Sequence, residues 1–394
     1  MRVRWVGSRF GAAVAVAAVV LVGTAGCAGG PGASGDTDAP GGPEATVTDV
    51  AGRAVTLHLP SSRILLGGSR LLYTTALLQP DDPTRRVVGW PDDLAQNDPD
   101  TLNRYVRRFP QVADVPTLGQ LPNGSFSAEA AIALRPDVFV VSAATYPAAR
   151  DAGTIDQLQR AGIPTVVIDY FVDPLRNTVP SVRLLGRIFG REAEATRYTD
   201  WYRSVMGRVR ARLDAAHPAP TPTFFWRAPG YYDCCSTFAH SNLASLVDWA
   251  GGANLGDTAL RSTQGTLAPE AVLRADPAVV IATGADWAPG GPARPGGFVP
   301  LGYDQSPQAA QQQLRAVVAG QPGFPELGAV RDRRVFAAWH HFYDSPYNVL
   351  AAEWFAKWLH PDLFRDVDPD ATIADLHRRF LPVAPGGAFW TSLG

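Results

Sequence analysis

Two segments in opposite halves of this chain repeat one pattern, and the repeat restricts the fold more than any other feature. In the first, Ser127-Ala128-Glu129 leads to Leu134-Arg135-Pro136-Asp137 and then to the apolar run Val138–Val141. In the second, Ala268-Pro269-Glu270 leads to Arg274-Ala275-Asp276-Pro277 and then to Val279–Ala282. Glu precedes Pro by seven residues in both. Each reads as a short helix with an acid in its first turn, where the helix dipole favours negative charge, feeding a buried strand. Repeated alternation of helix and buried strand implies parallel pairing through crossover helices. A chain that does this twice is expected to fold as two similar α/β units.

The flanking sequence fills in both units. Thr46–Val50 and Val55–Leu59 alternate around Ala51-Gly52-Arg53 and read as a β-hairpin. Arg63–Leu66, Arg86–Trp90, Val138–Val141 and Thr165–Tyr170 read as buried strands, with helical stretches near 70–78, 127–135 and 151–161. After Pro174 one helix is expected over 176–189, stopping near Gly190, and a second over about 191–214. In the second helix Ala195, Tyr198, Tyr202, Val205, Val209 and Leu213 recur every three or four residues. At 1.5 Å per residue it would be roughly 36 Å long. Pro218, Pro220 and Pro222 break the chain, and a second series follows with Thr223–Trp226, a helix over 241–250 ended by Gly251-Gly252, Val279–Thr283 and Arg334–Trp339. The expected architecture is α/β, with two Rossmann-like lobes of mainly parallel sheet joined by one long helix and a ligand cleft between them. The lobes are expected over 46–175 and 218–394, with the helical zone over 176–217.

The N-terminus carries an address. Arg2, Arg4 and Arg9 precede an apolar run from about Gly11 to Val22, too short for a typical spanning helix of about 20 residues. Thr24-Ala25-Gly26-Cys27 then resembles the bacterial lipobox, in which the cysteine is acylated and becomes the new N-terminus; Thr24 stands where a Leu is usual. Residues 1–26 are therefore expected as a lipoprotein signal. Residues 27–45, almost entirely Gly, Ala, Pro, Ser, Thr and acids, are expected as a flexible tether from acylated Cys27 at the outer face of the cytoplasmic membrane. Loss of residues 1–26 removes three arginines and no acid, taking the formal charge from −2 to about −5. With no basic stripe, nucleic acid is excluded as a partner. No Gly-x-Ser-x-Gly elbow, phosphate loop or His-Glu-x-x-His is present, so no enzyme activity is expected.

The order and spacing of these features resemble the helical-backbone class of periplasmic binding proteins, which serve ABC importers of iron–siderophore, haem, cobalamin and related metal chelates. The resemblance covers about residues 46–390. It rests on the opening hairpin with Arg63–Leu66, the two Glu…Pro segments, the mid-chain helix, Leu246–Asn254 (LVDWAGGAN) and His341–Leu359 (HFYDSPYNVLAAEWFAKWL). It implies a monomeric binder that delivers a metal chelate, foremost an iron–siderophore complex, to a permease dimer with its ATPase subunits. Cobalamin, haem and a nickel chelate remain open. One surface Glu on each lobe docks onto permease arginines in that family, and Glu129 and Glu270 match those positions.

Ligand contacts are expected on loops after strand C-termini. Those loops carry Gly67-Gly68-Ser69-Arg70, Trp90-Pro91-Asp92-Asp93, Gln120, Ser142, Thr145, Trp226-Arg227, Tyr231, Trp287 and Trp339-His340-His341-Phe342-Tyr343. Arg70 and Arg227 suit the oxygen anions of a ferric chelate, and both also fit structural ion pairs. Trp90, Trp226, Tyr231, Trp287 and Tyr343 offer flat area with a polar tip, the alternative being plain packing. Of the adjacent His340 and His341 one is expected to face the cleft, and His341 is preferred, with a role as metal ligand through a bound chelate. The adjacent Cys234 and Cys235 are left open among a strained small ring, free thiols and soft metal ligands, with a local structural role preferred.

Overall fold

The structure, a computed structural model, describes residues 41–121, 123–287 and 297–394. The expected signal, Cys27 and the tether as far as residue 40 lie outside the described residues. The first strand, Glu44–Thr48, begins inside the segment expected as tether and pairs antiparallel with Ala54–His58. The hairpin turn is built by Asp49, whose Oδ1 accepts from the N–H groups of Ala51 and Arg53, both at 3.0 Å. The Asp49 Oδ2 accepts from Val167 N–H at 3.1 Å, so the same side chain fixes the hairpin to the first sheet.

That sheet has four parallel strands in the order Val87–Gly89, Ile64–Leu66, Val138–Ser142, Thr165–Ile168. Its two central strands are almost wholly buried because helices cover both faces. The second sheet has five strands in the order Trp390–Ser392, Val335–Trp339, Val279–Gly284, Thr221–Trp226, Gly252–Asn254. It is parallel except at the Trp390–Ser392 edge. Helix Pro174–Phe189 ends at Gly190, whose positive φ of 65° an L side chain rarely adopts. A Cβ there would also stand 2.9 Å from Pro60 Cβ, so both conformation and space require glycine.

The lobe-joining helix runs from Glu192 to Ala216. Its apolar stripe, Ala195, Tyr198, Tyr202, Val205, Val209 and Leu213, is buried. Tyr198 hydroxyl donates to Pro346 carbonyl at 2.6 Å, and Tyr202 hydroxyl to Asn348 Oδ1 at 3.0 Å. One apolar core runs without interruption through both lobes, taking in Tyr73 and Ile168 from the first and Trp339, Tyr347 and Phe355 from the second. This continuity, with the helix across it, opposes wide opening of the lobes.

Candidate ligand-binding site

Loops leaving the C-terminal ends of strands in the two sheets meet one another. Gly67 follows strand Ile64–Leu66, and its N–H donates to Val140 carbonyl at 2.7 Å. A Cβ on Gly67 would lie 3.0 Å from that oxygen, so the missing side chain lets the chain turn off the sheet immediately. Asp93 holds the next residues. Its Oδ1 accepts from Ser69 N–H at 2.7 Å and from the Ser69 hydroxyl at 2.9 Å, and its Oδ2 accepts from Arg70 Nε at 2.7 Å. Arg70 then crosses to the other lobe, where Nη1 donates to the Tyr343 hydroxyl and stands 3.2 Å from Asp344 Oδ2. The side chains of Arg70, Asp93 and Asp344 are 20%, 13% and 16% exposed. Arg70 is therefore already matched by two carboxylates, an arrangement its spacing in sequence did not reveal.

Burial works against the Arg70 charge, but Tyr343, Asp344 and Asp93 outweigh it and hold its pKa well above the usual value. Burial raises the Asp344 carboxyl to about 6, against the pull of Arg70. The group forms one wall of a pocket of about 80 Å³, lined also by Gly67, Gly68, Asn97, Gln120, Ser142 and Thr145.

An aromatic run continues from Tyr343 through the second lobe. Tyr343 lies 4.6 Å from the His340 ring, His340 5.4 Å from Trp287, and Trp287 4.6 Å from Tyr231. Arg227 closes the run, donating to Tyr232 hydroxyl at 2.8 Å and lying over the rings of Tyr232 and Phe238. His341 turns the other way, and its Nε2 pairs with the Asn97 carbonyl of the first lobe at 2.8 Å. A carbonyl only accepts, so Nε2 carries the proton and Nδ1 is the free acceptor. That Nδ1 is buried with no partner, closed off from solvent. Burial lowers His340 well below the usual imidazole range and His341 to about 3, so both rings are neutral at physiological pH.

Polar contacts seal the lobes beyond the pocket. Tyr347 hydroxyl donates to Tyr73 carbonyl at 2.8 Å, Gln305 Nε2 to Asp100 Oδ2 at 2.7 Å, and Arg107 pairs with Asp304 at 2.8 Å. Beside them Tyr73 hydroxyl donates to Asp98 at 2.5 Å, and burial raises that carboxyl to about 6.

The expected residues thus divide. Arg70, Tyr343 and His341 come together between the lobes. Trp287 and Tyr231 continue from them within the second lobe, where Trp287, 5% exposed, is packed among Tyr231, Phe298 and His340, with Arg227 at the end of the run. Trp90 and Trp226 do not join them. Trp90 is 3% exposed, under the segment that bridges back to it at Thr117. Trp226 is 1% exposed, against Phe324 at 5.1 Å and Phe224 at 6.1 Å. Helices and loops cover both faces of a parallel sheet, so a tryptophan at a strand end is buried whichever way it points. Cys234 and Cys235 are joined in a disulfide through a cis peptide bond, which removes both sulfurs as metal ligands. Among the described residues no group of three or more His, Cys, Asp or Glu is placed to hold a bare metal ion. Asn97 and Asp344 were missed by sequence reasoning. Asn97 belongs to the short helix Asp93–Asn97, which has no apolar periodicity to betray it, whereas Asp344 directly follows the aromatic strand-end run.

Glu129 and Glu270 are both exposed, in the first turns of helices Ala128–Ala133 and Pro269–Ala275. Each helix directly precedes a central strand of its sheet, Val138–Ser142 in the first and Val279–Gly284 in the second. No described helix is long and apolar enough to cross a membrane.

The family model of periplasmic binding proteins matches residues 84–339. Among solved structures, the TroA-like periplasmic binding protein FepB of Veillonella parvula is 26% identical, with a TM-score of 0.79 over 89% of this chain and 99% of that one. Helicobacter pylori CeuE, solved with nickel and histidine, is 16% identical, with a TM-score of 0.61 over 86% and 96%. A periplasmic haem-binding protein of Pseudomonas aeruginosa is 18% identical, with a TM-score of 0.53 over 84% and 97%. The last two show likeness of fold alone. No match was found among the curated proteins.

Proposed function

The chain belongs to the periplasmic binding protein family, and from that premise we propose that it captures a metal chelate outside the cytoplasmic membrane and delivers it to an ABC permease. On this reading the chelate is an iron–siderophore complex, with cobalamin, haem or a nickel chelate as the alternatives. One observation carries the reading. The pocket is walled by strand-end loops of the first lobe and closed by Asp344 of the second, so a ligand seated there contacts both lobes at once. The partly exposed Tyr343 and Tyr231 at the two ends of the aromatic run support a cargo with flat apolar faces.

The mechanism is binding without chemistry. Each lobe contributes one wall, the ligand favours the closed arrangement, and the permease reads both lobes. Glu129 and Glu270, exposed at equivalent places, are the proposed handles for permease arginines. A lipid on Cys27 and a tether ending ahead of the strand at Glu44 would hold the monomer beside its permease.

Tryptophan fluorescence tests the reading, because Trp287 lies in the aromatic run. Titration with ferric siderophores, haem, cobalamin and nickel–histidine should quench emission for at least one chelate, and no response to any of them overturns the proposal. A Glu129→Arg plus Glu270→Arg variant should bind as the wild type does and fail in uptake; surviving uptake would overturn the docking assignment.

A further inference from the structure

The charge balance of the pocket bears on what its cargo can be. Two carboxylates face one guanidinium in its wall, and that guanidinium has its Nε on Asp93 and its Nη1 on Tyr343 and Asp344. An anion approaching the remaining Nη2 of Arg70 meets a guanidinium already matched by two carboxylates, so Arg70 offers it little. Asp93 is well supplied, with three donors on its two oxygens. Asp344 is not. Its ion pair with Arg70 at 3.2 Å is its one polar contact among the described residues. A carboxylate this enclosed, with 16% of its side chain exposed, gains from any further donor that reaches it. Burial has raised its pKa for the same reason. In the same wall the Gln120 Nε2 is buried without a partner, so it gains from any neutral oxygen that the cargo brings within its reach.

We infer that this pocket selects its cargo by charge, taking a protonated amine arm onto Asp344 and a neutral oxygen onto Gln120, and discriminating against an anionic chelate. The inference rests on the reading that the pocket receives a chelate. A volume of about 80 Å³ holds roughly three water-sized groups, against the 300–1,000 Å³ of typical sites for whole ligands. The pocket is therefore the seat of one arm or edge of a chelate, whose body lies outside it. A cationic arm on the cargo replaces the solvation that Asp344 has lost, whereas a carboxylate arm adds a third negative charge beside Asp93 and Asp344.

The test uses one chelate in three charge forms. The purified protein is titrated calorimetrically with a ferric trihydroxamate bearing a free ammonium, with its acetylated form and with its succinylated form, alongside haem, cobalamin and nickel–histidine. The ammonium form should bind about tenfold more tightly than the succinylated form, the scale of one close charge contact. Asp344→Asn should shrink that ratio to about twofold while its melting transition stays cooperative. An anionic member binding tightest in the panel, or a ratio that survives in Asp344→Asn, overturns the charge inference and leaves chelate binding intact. No binding by any member overturns the chelate reading itself.

Discussion

Replacing Arg70 with alanine tests whether the two lobes are fastened by the ion triad. The change removes the 2.7 Å bond to Asp93, the 3.2 Å pair with Asp344 and the bond to Tyr343. It leaves two carboxylates, 13% and 16% exposed, with no cation between them. Removing one partner of a buried pair costs about 3–5 kcal/mol. Asp93 keeps two donors from Ser69, and both carboxylates retain some solvent, so the loss should fall at the lower end, about 3 kcal/mol at pH 8. The pH dependence follows from Asp344. Its folded pKa is raised by burial to about 6, so its contribution to stability is full below the ordinary carboxyl range and is lost as pH rises through about 6. Without Arg70 it rises further. At pH 5 Asp344 is protonated in either protein, and the variant loses mainly the charged bond to Asp93, about 1.5–2 kcal/mol. The groups facing Asp344 that set this window are Arg70, Asp93 and Asp169. Urea unfolding at both pH values, with the midpoint shift multiplied by the slope, measures the difference. A second variant, Arg70→Met with Asp344→Leu, should recover at least half of the loss at pH 8 because it removes the orphaned charge. An equal loss at pH 5 and pH 8, or a loss under about 1 kcal/mol at pH 8, would refute the reasoning.

Two further outcomes separate the site from the core. Trp226→Phe and Trp287→Phe should each lower stability by about 1–3 kcal/mol, since both rings are buried, but only Trp287→Phe, beside His340 and Tyr231, should also weaken binding; calorimetric binding and thermal melts read both. In a pH titration followed by ring proton resonances, His341 should stay neutral down to about pH 3, because burial and Arg70 oppose its imidazolium; a transition near the ordinary imidazole value would show that the ring is solvated and facing the cleft.

The alternation of apolar runs and helical periodicity, repeated around one long amphipathic helix, was enough to read two parallel α/β lobes. Those signals are local, and burying an apolar stripe or a β-branched run leaves a chain few other architectures. The repeat Glu129…Pro136 and Glu270…Pro277 marked equivalent helices for the same reason. Short elements escaped. The edge strands Gly252–Asn254 and Trp390–Ser392 and the helix Asp93–Asn97 are too brief to show a period. The candidate site was legible as loops and not as contacts. Gly67, Gly68, Arg70, Asp93, Gln120, Ser142 and Thr145 all follow predicted strands or lie in the expected loops, and all line the pocket. Which strand-end aromatic lies beside the site could not be read, since Trp226 and Trp287 occupy similar places in the sequence and both are buried, one against Phe324 and the other between His340 and Tyr231. Most of all, the sequence by itself determined that Arg70 sits at a strand end; only the tertiary structure decided that its charge is spent on Asp93 and Asp344. An ion pair between residues so far apart in the chain leaves no local pattern, because its energy depends on distance and burial set by the docking of the two lobes.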